Sequence, residues 1–249
     1  MNRVGMMIDI SHPSKQSSMQ TFELSKSPVI ASHSAVRAIC NHSRNMDDEQ
    51  LLALKKNGGV IQVVAFATYV KCDPPNPQRQ PLVDKLYSEF GIQLPAGRGG
   101  GGGGGRATAP GAGAPGAAPA PAGGRGGGGR GGRGGAVQTM IDSLPPDKLV
   151  EFRKRMAQID SAYPPPIPAT VSDFVNHIDY AVKLIGIEHV GISSDFDGGG
   201  GVTGWRDASE TFNVTHELVK RGYTEEEIAK IWSGNLLRVM GEVQKRAKK

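Results

Sequence analysis

The chain has 249 residues, with 29 lysines and arginines against 24 aspartates and glutamates, a formal net charge of +5 and 38% hydrophobic residues. That length suits one large domain or two small ones, and the apolar fraction is low but still supplies a packed core. Between Gly97 and Gly135 lie 21 of the 35 glycines and five arginines, with no lysine or acidic residue; without those arginines the rest of the chain holds 24 basic and 24 acidic residues, so the basic balance belongs to this stretch and implies no nucleic-acid-binding face elsewhere.

The first element in chain order is "VGMMIDI" (4–10), an apolar run read as a buried strand that stops at His12. Ser14 to Ser25 can form a helix, after which "SPVIASH" (27–33) is a second strand, ending at His33. "DDEQLLALKKN" (47–57) is a helix with acids in its first turn and lysines in its last, which complement the dipole. "GGVIQVVAF" (58–66) reads as a third strand. The insert 97–135 buries too little apolar surface to offset its conformational entropy and is expected to be disordered. Thr170 with Asp173 marks a capping box, and Phe174, Ile178, Ala181, Val182 and Ile185 fall at helical spacing behind it. "HVGISSDF" (189–196) is the fourth strand, and helices follow over about 207–221 and from Thr224, capped by Glu227, to the end. Trp232, Leu236, Leu237 and Val239 are expected in the core, with Asn235 as a brace. Cys40 and Cys72 are too few for a disulfide framework and are expected as two free thiols. No apolar run reaches the roughly 18 residues of a membrane span, and the first twelve residues lack signal-peptide character.

Strands alternating with helices through short connections imply parallel pairing with right-handed crossovers. The turn "SHPSKQ" after the first strand lacks the glycine fingerprint of a dinucleotide fold. Polar residues gather instead at strand carboxyl ends, as in a (β/α)8 TIM-type barrel. A barrel takes roughly 250 ordered residues, whereas 210 lie outside the insert here and supply about four strands. The expected fold is therefore α/β, a half-barrel. His12, His33 and Asp195 sit at strand ends, with Asp197 and Gly198 read as turn residues just beyond. Two imidazoles on neighbouring strand ends can hold a divalent metal, and a carboxylate on a further strand can take a proton from a metal-bound water.

"DISHPS", "PVIASHS", "NHSRNMDDEQLLALKKNGGVIQV", "HIDYAVKLIGIEHVGISSDFDGGG" and "GYTEEEIAKIWSGNLLRVM", in that order, resemble the C-terminal half of the membrane (renal) dipeptidase family. The resemblance implies a barrel of the amidohydrolase type with two zinc ions that hydrolyses dipeptides. By motif, His12 and His33 resemble ligands of the second zinc and Asp195 the acid/base. Arg44 resembles the arginine that grips the substrate carboxylate, and Tyr69 a tyrosine near the substrate. His42, His177, His189 and His216 match no ligand position and are expected at the surface or in packing. The family's His-x-Asp pair and bridging glutamate have no counterpart here, so at most one partial zinc site with two protein ligands is expected, along with a fragment lacking the N-terminal ligands.

On this reading residues 1–96 carry barrel strands 5–7 with their helices, 97–135 the Gly/Arg/Pro/Ala insert, and 136–249 the strand 8 region with the C-terminal helices. The expected partners are a dipeptide and either a second copy or a missing N-terminal half; nucleic acid is not expected. The competing readings are a non-catalytic scaffold and an RGG-type RNA-binding segment, since "GGRGGGGRGGRGG" (123–135) resembles such segments, in which arginines meet phosphates and bases. The resemblance is to a family whose members are often exported or membrane-anchored, and the location of this chain stays open.

Overall fold

The computed structural model describes residues 1–73, 76–92 and 133–247. These fall into two compact units, one within 1–73 and 166–247 and the other within 76–92 and 133–165.

The first unit is built on a parallel sheet ordered β1 (Ile30–Ser34), β2 (Val60–Val64), β3 (Val190–Ser193). Ile30 pairs with Val60 and Val63 with Ile192, with one register irregularity in β1 between Ala31 and Ser34. Helix α1 (Lys15–Leu24) precedes β1, and α2 (Asp48–Asn57) connects β1 to β2. The short α3 (Ala67–Val70) follows β2, and α7 (Val171–Ile185) leads into β3. Then come α8 (Phe212–Lys220), α9 (Glu225–Ala229), a π-helical turn at Lys230–Gly234 and α10 (Asn235–Lys245).

Local chemistry sets the helix starts. Thr170 and Thr224 cap α7 and α9 through reciprocal boxes with Asp173 and Glu227, and Asp47 with Gln50 does the same for α2. The period-two alternation of the strands then divides the packing. Ala31, Ile61 and Val63 join the principal core with Leu51 and Leu54 of α2 and Phe174 and Ile178 of α7. Ile30 and Val60 point the other way, against Val239 and Val243 of α10.

Helix α10 is tied to the amino ends of the strands. Asn235 Nδ2 donates to the carbonyls of Ile187 and Val190 at 2.6 and 2.8 Å, and Arg238 donates to those of Gly58 and Glu188. Asn235 is thus the brace its motif suggested. Leu237, expected in the core, is 55% exposed because it lies on the outer side of α10.

The second unit contains α4 (Arg79–Glu89), α5 (Arg133–Asp142) and α6 (Pro146–Ala162), joined by a cluster of Leu86, Ile92 and Phe152 with Val137 and Ile141 at its margin. No helix among the described residues is long and apolar enough to cross a membrane.

Three expectations change. Residues 4–10 do not form a strand: Asn2–Val4 make a 3-10 turn closed by Gly5 at φ 67°, and Ile8–Ile10 meet β1 through a single bridge, Asp9 to Ile30. The insert boundary at 135 falls inside α5, whose later turn is anchored by Val137 and Ile141; residues 97–132 lie outside the described residues. Cys40 and Cys72 are bonded rather than free, because the loop after β1 and the segment after α3 bring their Cα atoms to 5.1 Å.

His177 is fully buried on α7 and bridges two other segments. Its Nδ1 accepts from the Val36 N–H at 3.0 Å, so its Nε2 carries the proton and donates to the Val70 carbonyl at 2.9 Å. Burial pushes its pKa below the ordinary 6.5, outweighing the Val70 hydrogen bond and the Asp173 charge that pull it up.

Closing a 32-residue separation implies about 3 to 4 kcal/mol of stability from the disulfide. Reduction, or Cys72→Ala, should lower the urea midpoint accordingly, and the unreduced, denatured chain should titrate with no free thiol. The unfolded chain protonates His177 near its ordinary value of 6.5 while the folded chain resists, so stability should fall as pH drops below that value. Urea melts between pH 7 and 5 should show this decline, and His177→Gln should make it shallower.

Candidate active site

The parallel sheet puts the carboxyl ends of its strands on one side, and the residues singled out by motif lie there. His12 follows the bridged segment 8–10, and His33 lies in β1 itself. Arg44 is in the loop after β1, Tyr69 in α3 just past β2, and Asp195 two residues past β3.

The structure brings three of them into direct contact. His12 Nε2 and His33 Nε2 are 2.7 Å apart, and Arg44 Nη2 is 3.3 Å from His12 Nε2. The Arg44 guanidinium sits 5.7 Å from the Tyr69 ring centroid. Desolvation lowers the His12 pKa, and the nearby positive charge of Arg44 lowers it further, so the ring is neutral near pH 7 with a nitrogen lone pair available.

Asp195 is close enough for its charge to act on His12, pulling its pKa up against the lowering effects. Its backbone is left-handed at φ 52°, a conformation aspartate tolerates better than most residues. Its carbonyl accepts from Gly198 and Gly200, and a Cβ on Gly198 would run into its carboxylate. The glycines of "DFDGGG" thus wrap this turn around the carboxylate. Asp197 lies in the 3-10 turn Phe196–Gly198, in keeping with a turn role.

Sequence reasoning passed over several neighbours. His42, treated as surface or packing, stacks on Tyr69 at 4.5 Å between centroids and accepts from the Arg44 N–H through Nδ1. Phe66 also stacks on Tyr69, at 4.4 Å between centroids. Buried Asn45 donates to the carbonyls of Cys40 and Tyr69, both at 2.8 Å, fastening the Arg44 loop to α3. Asp9, Ser11 and Ser32 form a hydrogen-bonded group behind the histidines, with Asp9 accepting from both serines. His42, Asn45, Asp9, Ser11 and Ser32 all stand in the quoted motifs, but strand-end spacing singles out only His12 and His33, and the family resemblance adds Arg44.

A recess of about 70 Å³ lined by Ser11, His12, Ser34, Arg44 and Asn45 adjoins the pair and has room for one or two waters. A larger hollow of about 560 Å³ lies between α1 and α2, lined by Met19, Phe22, Glu23, Ser25, Lys56 and Asn57, and shares no residue with the His12 recess.

The sequence profile described as membrane dipeptidase (peptidase family M19) matches residues 1–249. The chain belongs to the membrane dipeptidase family. Among its relatives, dipeptidase aclJ of Aspergillus oryzae is 24% identical over 98% of this chain and 36% of its own length. Dipeptidase 3 of Rattus norvegicus is 26% identical over 98% of this chain and 31% of its own length. The crystal structure of the probable dipeptidase PvdM from Pseudomonas aeruginosa superposes with a TM-score of 0.63 at 36% identity, covering 99% of this chain and 52% of that one. This member of the family therefore spans about a third of the length of those two curated relatives and about half of that solved structure. The α/β arrangement of parallel strands with helices is the one it shares with the dipeptidase structure.

Proposed function

We propose that the chain provides one half of a zinc-dependent dipeptidase site and acts with a second half that completes both the fold and the metal ligands. The observation that carries the reading is the convergence of His12 and His33, 21 residues apart in sequence, to an Nε2–Nε2 distance of 2.7 Å with Arg44 alongside. Two bonds of 2.0–2.1 Å to a tetrahedral zinc place the donor nitrogens about 3.3 Å apart. The pair therefore fits one ion after opening by roughly half an ångström. Among the described residues no group of three or more His, Cys, Asp or Glu side chains could hold a metal. A catalytic zinc usually has three protein ligands and one open position, so the remaining ligands come from the other half.

The sequential parallel order of the 8–10 segment, β1, β2 and β3 supports a half-barrel of the (β/α)8 type. Its sheet then has edges that a complementary half, or a second copy, would close. A bound zinc ion supplies a polarised water of lowered pKa. In this reading Asp195 would be the acid/base that takes up and returns the reaction's proton. Arg44 can pair bidentately with the free carboxylate of a dipeptide, which selects dipeptides over longer chains, and Tyr69 with His42 forms the aromatic wall beside it.

Calorimetric titration with zinc should show one ion per chain with a dissociation constant of roughly micromolar or weaker, and at least tenfold weaker binding in His12→Ala or His33→Ala. The chain alone should not hydrolyse L-Ala-D-Ala; turnover that disappears in His33→Ala would overturn the half-site reading. In an assembly completed by the amino-terminal half of a relative, Arg44→Ala should raise KM about 10- to 150-fold, the loss of a charge-assisted pair, without changing zinc stoichiometry.

A further inference from the structure

Behind His33 lies a chain of hydrogen bonds whose directions follow from an ionised Asp9. Asp9 Oδ1 accepts from Ser11 N at 3.0 Å, Ser11 Oγ at 2.8 Å and Ser32 N at 3.0 Å, and Asp9 Oδ2 accepts from Ser32 Oγ at 2.5 Å. An ionised carboxylate only accepts, and a serine hydroxyl has one proton. Those hydrogen bonds from Ser32 and Ser11 hold the Asp9 carboxyl below its ordinary range despite desolvation, which acts the other way. With its proton given to Asp9, Ser32 Oγ is left as an acceptor, and His33 Nδ1 lies 2.7 Å from it. Ser11 Oγ has likewise given its proton to Asp9, and it accepts the His33 backbone N–H at 3.0 Å.

We infer that Asp9 and Ser32 are a positioning pair that holds neutral His33 as the Nδ1–H tautomer, with the Nε2 lone pair turned toward His12. His33 Nε2 then faces His12 Nε2 at 2.7 Å, with Arg44 Nη2 3.3 Å from the same His12 nitrogen, and a His12 that ligated through Nε2 would carry its own proton on Nδ1. Neither Asp9 nor Ser32 touches the ion. They act through His33, as outer partners of ligating histidines commonly do. This inference rests on the reading of His33 as a ligand, but the tautomer itself is observable without any metal.

The decisive variant is Asp9→Asn, which keeps the shape and reverses one bond. The three donors on Oδ1 require the amide oxygen there, so the amide nitrogen takes the Oδ2 place and donates to Ser32 Oγ. Ser32 then offers its own proton to His33 Nδ1, and the ring changes to Nε2–H. Long-range proton–nitrogen spectra of the metal-free full chain near pH 8, where histidine is neutral, would read this directly, with His33 assigned against His33→Gln. The expected result is Nδ1–H in the unmodified chain, Nε2–H in Asp9→Asn, loss of the Nδ1–H preference in Ser32→Ala and its return in Ser32→Thr. Zinc affinity should fall about 10- to 100-fold in Asp9→Asn and Ser32→Ala. Nε2–H in the unmodified chain, or a tautomer indifferent to both substitutions, would overturn the inference. An absence of zinc binding by the unmodified chain would instead overturn the metal reading and leave the tautomer to decide this one.

Discussion

The backbone hydrogen bonds that pair β2 with β1 on one side and β3 on the other, all in parallel, align three carboxyl ends along one edge of the sheet. Parallel strands need crossovers, so each connection must carry chain back across a face, and α2 and α7 do so while burying Leu51, Leu54, Phe174 and Ile178. That alignment brings polar residues from separate strand ends to one side of the sheet. His12, His33, Arg44 and Tyr69 are distant in sequence, yet they form one contiguous group of contacts.

The opposite edge is occupied differently. Asn235 and Arg238 of α10 donate to the carbonyls of Gly58, Ile187, Glu188 and Val190 at the amino ends. Stability and chemistry are thus placed at opposite ends of the same strands, a division typical of parallel α/β enzymes. On the chemical side, loops bear the exposed functional groups and are themselves fastened, by Asn45 to the Tyr69 carbonyl and by the Cys40–Cys72 bond. A guanidinium on a loose loop would lose entropy on meeting a carboxylate; fastening the loop reduces that cost.

Much of this is legible from the residues. The capping boxes at Thr170 and Thr224 and the charge pattern of 47–57 locate three helices, because their signals are local. The apolar runs at 27–33 and 58–66 contain β1 and β2, since strands buried on both faces need continuous branched residues. The run at 4–10 has the same composition but forms only one bridge, as a strand also needs a partner ladder and Gly5 turns the chain before one can form. Helices α4 and α6 escaped notice, and Leu86 and Phe152 acquire a buried face only by packing together within the second unit. His177 looked like any packing histidine; that it bridges Val36 and Val70 depends on residues about 141 and 107 positions away.

By itself the sequence determined the kinds of element and the α/β class, since each depends on composition and neighbours within a few positions; its likeness to the membrane dipeptidase family singled out Arg44 and Tyr69 beside the strand-end residues His12, His33 and Asp195. Only the tertiary structure decided that Cys40 bonds Cys72, that His12 and His33 meet through Nε2, and that Asp9 and Ser32 stand behind His33. Those contacts span 21 to 32 residues, and both their distances and the direction of each proton depend on strand register and loop closure, which no local pattern encodes.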